Sequence, residues 1–93
     1  MEITEIKIVP IDEERLRASI NITFDDCFRI NGLKLIKGKK GYLLSMPQRK
    51  RRDGTHVDIV SPIDSETRRM IEEKVFAEYE KVTGETIKRR VLK

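Results

Sequence analysis

Leu16, Ala18, Ile20, Ile22 and Phe24 alternate strictly with Arg17, Ser19, Asn21 and Thr23. A period of two sends successive side chains to opposite faces, so this run reads as a β-strand with one face buried and the other wet. A helix would scatter the same apolar residues around its circumference. The chain must therefore build a sheet, and it must supply something apolar to cover one side of it.

The flanking segments extend the sheet. Ile6, Ile8 and Pro10 repeat the alternation more briefly, which predicts a strand over residues 2–9 that ends at Pro10, where no amide is left to donate. Asp12-Glu13-Glu14 is the connecting loop, and Asp25-Asp26 is a second turn signal. Over residues 27–37 the parity changes. Phe28 and Ile30 share one face, Leu33 and Leu35 the other, and Asn31-Gly32 sits at the change. Asn-Gly between apolar runs signals a hairpin. The alternative is one long strand with a bulge, whose extra residue flips the face. Hairpin arms would be only about four residues each, so the bulged strand is preferred. Lys37-Gly38-Lys39-Lys40-Gly41 is a turn, residues 42–46 form another strand, and Pro47 stops it. Residues 47–56 read as a basic loop that turns at Asp53-Gly54, with a short strand over 57–60.

Pro62-Ile63-Asp64-Ser65 announces a helix, with Asp64 or Ser65 as N-cap. Ile71, Val75, Tyr79 and Val82, flanked by Met70, form its apolar stripe. The helix runs for about five turns and ends near Gly84. The fold class is α+β: four or five antiparallel strands followed by one long C-terminal helix. Residues 1–83 form a single domain and 84–93 a basic C-terminal tail that is partly frayed or a short helix. Ninety-three residues, 38% hydrophobic and 39% charged, suffice for one thin core. One helix covers one face and leaves two sheet edges open, and open edges invite another chain. A homodimer in which the sheet continues across both copies is the expected assembly.

Several classes are disfavoured. No window approaches the roughly 18 apolar residues of a membrane span. Met1 is followed by Glu2-Ile3-Thr4-Glu5, unlike the basic start of a secretory signal. Cys27 is the sole cysteine, so the expected setting is a reducing, cytoplasmic one. Cys27 reads as a small semi-buried residue, because a nucleophile would want His56 beside it as base. His56 and Asp58 face the same side at strand spacing, but no second histidine supports a metal site. Gly38-Lys39-Lys40-Gly41 has the glycines and lysines of a phosphate loop without its spacing or its following helix. No enzyme activity, cofactor, metal or small-molecule substrate is expected.

The charge points elsewhere. The formal net charge of +4 conceals strong segregation. Residues 1–26 carry seven acids against three bases. Residues 27–52 carry nine bases (Arg29, Lys34, Lys37, Lys39, Lys40, Arg49, Lys50, Arg51 and Arg52) and no acid. Such a block suits the phosphate backbone of a nucleic acid. Arginine prevails over lysine at 49–52, and its planar fork fits phosphate oxygens and guanine edges alike. Phe28 and Tyr42 are the only aromatics in the block, too few for a single-strand stacking platform, so duplex DNA is the favoured partner and RNA the alternative.

An ordered set of short motifs then resembles the bacterial SpoVG family (stage V sporulation protein G, septation regulator). It comprises Met1-Glu2-Ile3-Thr4, Ile20 to Phe24, Phe28, Leu33-Lys34-Leu35-Ile36-x-Gly38-x-x-Gly41 and Met46-Pro47-x-Arg49-Lys50. Asp53-Gly54, Asp58-Ile59-x-x-Pro62-Ile63 and Thr67-Arg68 continue it over roughly residues 1–80. The resemblance implies an antiparallel sheet with a C-terminal helix, a dimer, and a DNA-binding regulator connected with septation, sporulation and transcription. It suggests Arg49, Lys50, Arg51 and Arg52 as nucleic-acid contacts and Arg68 as a further one or a structural ion-pair residue. Lys37, Lys39 and Lys40 are expected to assist from the neighbouring turn. Gln48, Ser61 and the extra Arg51-Arg52 depart from the family pattern, and so does the tail after Gly84. The alternative function is a protein-interaction module at the division septum, whose basic block meets an acidic partner.

Overall fold

The computed structural model describes residues 2–85. Strands β1 (Ile3–Pro10), β2 (Leu16–Phe24), β3 (Phe28–Gly38) and β4 (Gly41–Ser45) form one antiparallel sheet in the order β1-β2-β3-β4. Strands β5 (Gln48–Lys50) and β6 (His56–Asp58) pair separately as a two-stranded ribbon. Helix α1 (Ser65–Thr83) follows and lies across one face of the sheet. The α+β architecture read from the sequence is thus the architecture found. Among the described residues no helix is long and apolar enough to cross a membrane.

The alternation in β2 decides which face is covered. Ala18, Ile20, Ile22 and Phe24 are all buried, while Ser19, Asn21 and Thr23 are only half-buried on the other face. Leu33, Leu35, Tyr42, Leu44 and Met46 extend the buried layer across β3, β4 and the residue after it. Ile71, Val75, Phe76 and Tyr79 of α1 close it.

At Asn31-Gly32 the bulged strand, not the hairpin, is present. Ile20 pairs with Leu33 and Ile22 with Ile30, so two residues of β3 oppose Asn21 alone. The bulge returns Ile30 to the face of Leu33, where it packs against the core. Gly32 has φ +85°, a conformation that glycine adopts without penalty. Its amide donates to the Asn21 Oδ1 at 3.3 Å. Two further irregularities sit at Thr4 in β1 and Arg17 in β2.

The turn between β2 and β3 has left-handed Asp25 and Asp26, with φ of 50° and 56°. Two left-handed central residues match the twist of a hairpin. Flanking bonds hold this turn to the start of β1. The Glu2 amide donates to Asp25 Oδ1 at 3.0 Å and the Asp26 amide to Thr4 Oγ1 at 3.0 Å. Cys27 is exposed in this turn rather than semi-buried at a strand start, because the turn extends one residue beyond the two acids.

The N-cap of α1 is Asp64, whose Oδ1 accepts from the Thr67 amide at 2.7 Å. Gly84 ends the helix in a left-handed cap, its amide bonded to the Glu80 carbonyl at 2.8 Å. The apolar stripe differs from the expected one at its end. Val82 is 49% exposed, whereas Phe76 is buried. At 3.6 residues per turn the fourfold stripe Ile71, Val75, Tyr79 drifts toward the side of Phe76, so the contact face takes it in. Val82 lies within the stripe by angle but in the last turn, next to the Gly84 cap.

Arg17, displaced by its bulge, reaches the end of the helix. Its Nη1 donates to the Glu13 carbonyl at 2.6 Å and its Nη2 lies 3.6 Å from Glu85 Oε1. The buried Tyr79 hydroxyl donates to Glu85 Oε2 at 3.0 Å. Bonding to Tyr79 raises the Arg17 pKa, and burial raises that of Tyr79. Both groups therefore keep their protons across the physiological range.

Gly32→Ala should cost about 1–2 kcal/mol in denaturant unfolding, the usual penalty for forcing a Cβ into the left-handed region. Open space around Gly32 excludes a clash as the cause. Asp64 is held below its ordinary value near 3.8, first by the Thr67 amide. Its contribution is therefore present above that pH and lost as the pH falls through the lower folded value. Asp64→Ala should lower the Tm at pH 7, and the gap to the parent should narrow in thermal melts repeated at successively lower pH below 3.8.

Candidate nucleic-acid interface

Residues 47–56 are not the loop expected from sequence. Gln48 pairs with Asp58, Arg49 with Val57 and Lys50 with His56. Arg49 and Lys50 therefore lie on a strand, and Arg51 and Arg52 lie in the closing turn. The segment lacks an apolar alternation because the ribbon stands away from the core: every residue from Gln48 to His56 is exposed. Exposed strands leave no hydrophobic signature, so β5 was not legible. The Asp53-Gly54 turn was, and the short strand expected over 57–60 is present as β6, shifted to His56–Asp58.

The turn is well organised. The Gly54 amide donates to the Arg51 carbonyl at 3.0 Å and the Arg51 amide to the Thr55 carbonyl at 2.7 Å. Gly54, at φ +92°, supplies the left-handed residue that a short hairpin loop of this kind requires. Asp53 Oδ1 accepts from the Thr55 amide at 3.0 Å and the Thr55 hydroxyl at 2.7 Å. These bonds, the hydroxyl's foremost, hold the Asp53 carboxyl below its ordinary range. At the other end of the ribbon, Gln48 Nε2 donates to Asp58 Oδ1 at 2.8 Å, and the Ile59 amide donates to the Pro47 carbonyl at 2.8 Å.

Both acids of the ribbon are thus hydrogen-bonded to uncharged neighbours. Arg49, Lys50, Arg51 and Arg52 make no salt bridge among the described residues. Strand alternation sets Arg49 on the face of Val57 and Lys50 on the face of Gln48 and His56. The result is a narrow arm with cations on both faces and at its tip.

The other candidates are placed apart. Lys37 ends β3, and Lys39 and Lys40 form the β3–β4 turn. β4 runs from that turn toward Met46-Pro47, where the ribbon begins, so about 13 Å of strand at 3.3 Å per residue separates the lysine turn from the arm's base. Arg68 sits near the start of α1, 3.6 Å from Glu72 Oε2, and borders a niche shared with Gln48, Asp58, residues 43–45 of β4 and Met46. It is an ion-pair residue at the base of the arm. His56 and Asp58 share a strand, and no group of three metal-ligating side chains exists among the described residues. Phe28 is 61% exposed and Tyr42 is buried against Tyr79, with ring centroids 6.1 Å apart. The two aromatics of the basic block therefore form no stacking platform together.

Asp53→Ala should leave the core intact and loosen the tip. Faster amide exchange at residues 51–55, with unchanged protection in β2 and β3, is the expected outcome.

Comparison with known proteins places these features in a family. The SpoVG family model matches residues 1–81. A protein of Bdellovibrio bacteriovorus, a candidate septation protein SpoVG by its name, is 46% identical over 90 residues, covering 94% of this chain and 83% of that one. A protein of the same name from Anaeromyxobacter sp. (strain Fw109-5) is 46% identical over 81 residues, covering 87% and 84%. Another, from Phytoplasma australiense, is 42% identical over 88 residues, covering 94% and 92%.

Proposed function

The chain belongs to the SpoVG family, and we propose that it is a dimeric regulator that binds duplex DNA through the β5–β6 ribbon, in a process connected with septation. The observation that carries this reading is the ribbon itself. It is a two-stranded exposed arm with four consecutive bases, Arg49, Lys50, Arg51 and Arg52, and no salt bridge to neutralise them. The major groove of B-DNA admits a two-stranded ribbon of this width. Phosphate contacts supply most of the affinity, and arginines entering the groove read guanine edges. The septation connection rests on the names of the relatives.

The two sheet edges differ in a way that favours one mode of dimerisation. β1 carries the usual protections of an edge strand: a bulge at Thr4, Pro10 at its end, and Glu5 and Lys7 along it. β4 carries none of these. Its sequence, Gly41-Tyr42-Leu43-Leu44-Ser45, is uncharged and its pairing to β3 is regular. A second copy pairing along β4 would continue the sheet and set the two ribbons on either side of a two-fold axis. Half-sites related by that axis would then mirror the protein's symmetry.

Sedimentation at micromolar concentration should give twice the mass of the chain. The quadruple variant Arg49→Ala, Lys50→Ala, Arg51→Ala, Arg52→Ala should keep that mass. Its affinity for duplex DNA should be lower, and the slope of log K against log salt should flatten by about three to four, near 0.9 per lost phosphate contact. Unchanged affinity and slope would remove the ribbon from the interface. Absence of any duplex binding at low salt, with retention of the dimer, would favour the protein-interaction alternative.

A further inference from the structure

The lysines of the β3–β4 turn do not join the ribbon, and they have a different set of neighbours. Glu14, Arg15, Lys37, Gly38 and Lys39 line a surface niche of about 500 Å³ at the far end of β4. Two loops build it. The β1–β2 connection contributes Glu14 and Arg15; the end of β3 and its turn contribute the rest. The Lys37 amide donates to the Arg15 carbonyl at 2.7 Å, and Leu16 pairs with Ile36, so the two walls are tied together by backbone. Gly38 pairs with Gly41, which limits the turn to Lys39 and Lys40.

Three basic residues thus line one concave site together with a single acid. None of Arg15, Lys37 and Lys39 makes a salt bridge among the described residues. Like charges held together in a niche raise the local potential and are relieved by a bound anion. Arg15 offers a planar fork for two oxygens, and the lysines offer mobile point charges. That combination suits a phosphoryl group, which presents several oxygens and more than one negative charge. A carboxylate would satisfy only part of it.

We propose that Arg15, Lys37 and Lys39 form a phosphate-binding niche separate from the ribbon. As an anchor for a nucleic-acid backbone it rests on the DNA-binding reading above; as a site for a free polyphosphate it does not. The niche and the ribbon lie toward opposite ends of β4, so one copy of the chain would grip a backbone at two separated points.

Two titrations test this. In the first, isotope-labelled protein is titrated with inorganic tripolyphosphate at low salt and followed by amide shifts. Shifts should concentrate at residues 14–16 and 37–39. The triple variant Arg15→Ala, Lys37→Ala, Lys39→Ala should weaken the binding read at those amides at least about tenfold, while the ribbon quadruple variant should leave the saturation curve at those same amides in place. Arg15→Gln alone, which disturbs the fold least, should reproduce part of the loss. Shifts spread over all basic segments, or a loss equal in both variants, would overturn the niche. In the second titration the triple variant binds duplex DNA across a salt series. A slope flatter by about two to three identifies the bound phosphate as DNA backbone. An unchanged slope with tripolyphosphate binding lost keeps the niche and assigns it to a free polyphosphate. Failure of the ribbon variant to alter DNA binding would count against the ribbon alone, because the tripolyphosphate arm does not involve it.

Discussion

The register between β2 and β3 is the constraint on which the rest of this protein depends. A slip of one residue in a strand moves its whole apolar set to the other face. β3 holds apolar residues on both parities, so a regular pairing would bury either Ile30 or Leu33 and Leu35, but not all three. The two-for-one bulge opposite Asn21 resolves the conflict. It requires a left-handed residue, which Gly32 provides, and the Asn21 side chain satisfies the displaced amide. With the bulge in place, β2 and β3 present one continuous apolar surface. The regular β3–β4 pairing then carries that surface to Tyr42 and Leu44. Everything C-terminal follows from it, because α1 has only one face of the sheet on which to lie.

The helix is fastened at both ends by polar groups rather than by packing alone. Asp64 satisfies an amide of the first turn and Gly84 a carbonyl of the last. Near the second end, Arg17 and Tyr79 both engage Glu85, which ties β2 to the residue after the helix cap. Arg17 can do so only because it is the extra residue of its own bulge. A paired Arg17 would point to the open face, opposite to Ala18 and away from the helix. Two bulges in adjacent strands thus do different work: one keeps an apolar face continuous, and the other moves a cation to where the helix ends.

Much of this was legible in the sequence, for stateable reasons. The burial of β2 could be read from its period of two, since burial selects for that alternation. The bulge could be read from the parity change at Asn31-Gly32. Asp64 and Gly84 were legible because capping selects few residue types. Three features were not. Phe76 was missed because a stripe of fourfold spacing drifts against a helix of 3.6 residues per turn. The pairing of β5 with β6 was missed because β5 is unburied and has no hydrophobic period, which left only the Asp53-Gly54 turn and the short strand after it to mark the ribbon. The grouping of Arg15 with Lys37 and Lys39 depends on residues 22 or more positions apart along the chain, a juxtaposition made by the β2–β3 register and by no local pattern.

The charge segregation becomes intelligible on this fold. An unneutralised run of bases is tolerable only where solvent can screen it, and a core of this size has no room for it. The ribbon meets that condition. Its cations are exposed, and its own acids are bonded to Thr55 and Gln48, where they hold the arm's shape without pairing with the arginines. The stability of the domain and the electrostatics of the arm are therefore nearly independent. The bases at 49–52 can be replaced without opening the core, and the core can be altered without moving the charge. Separation of this kind lets the sheet and helix serve as a rigid mount for a basic arm whose composition can change without cost to the core.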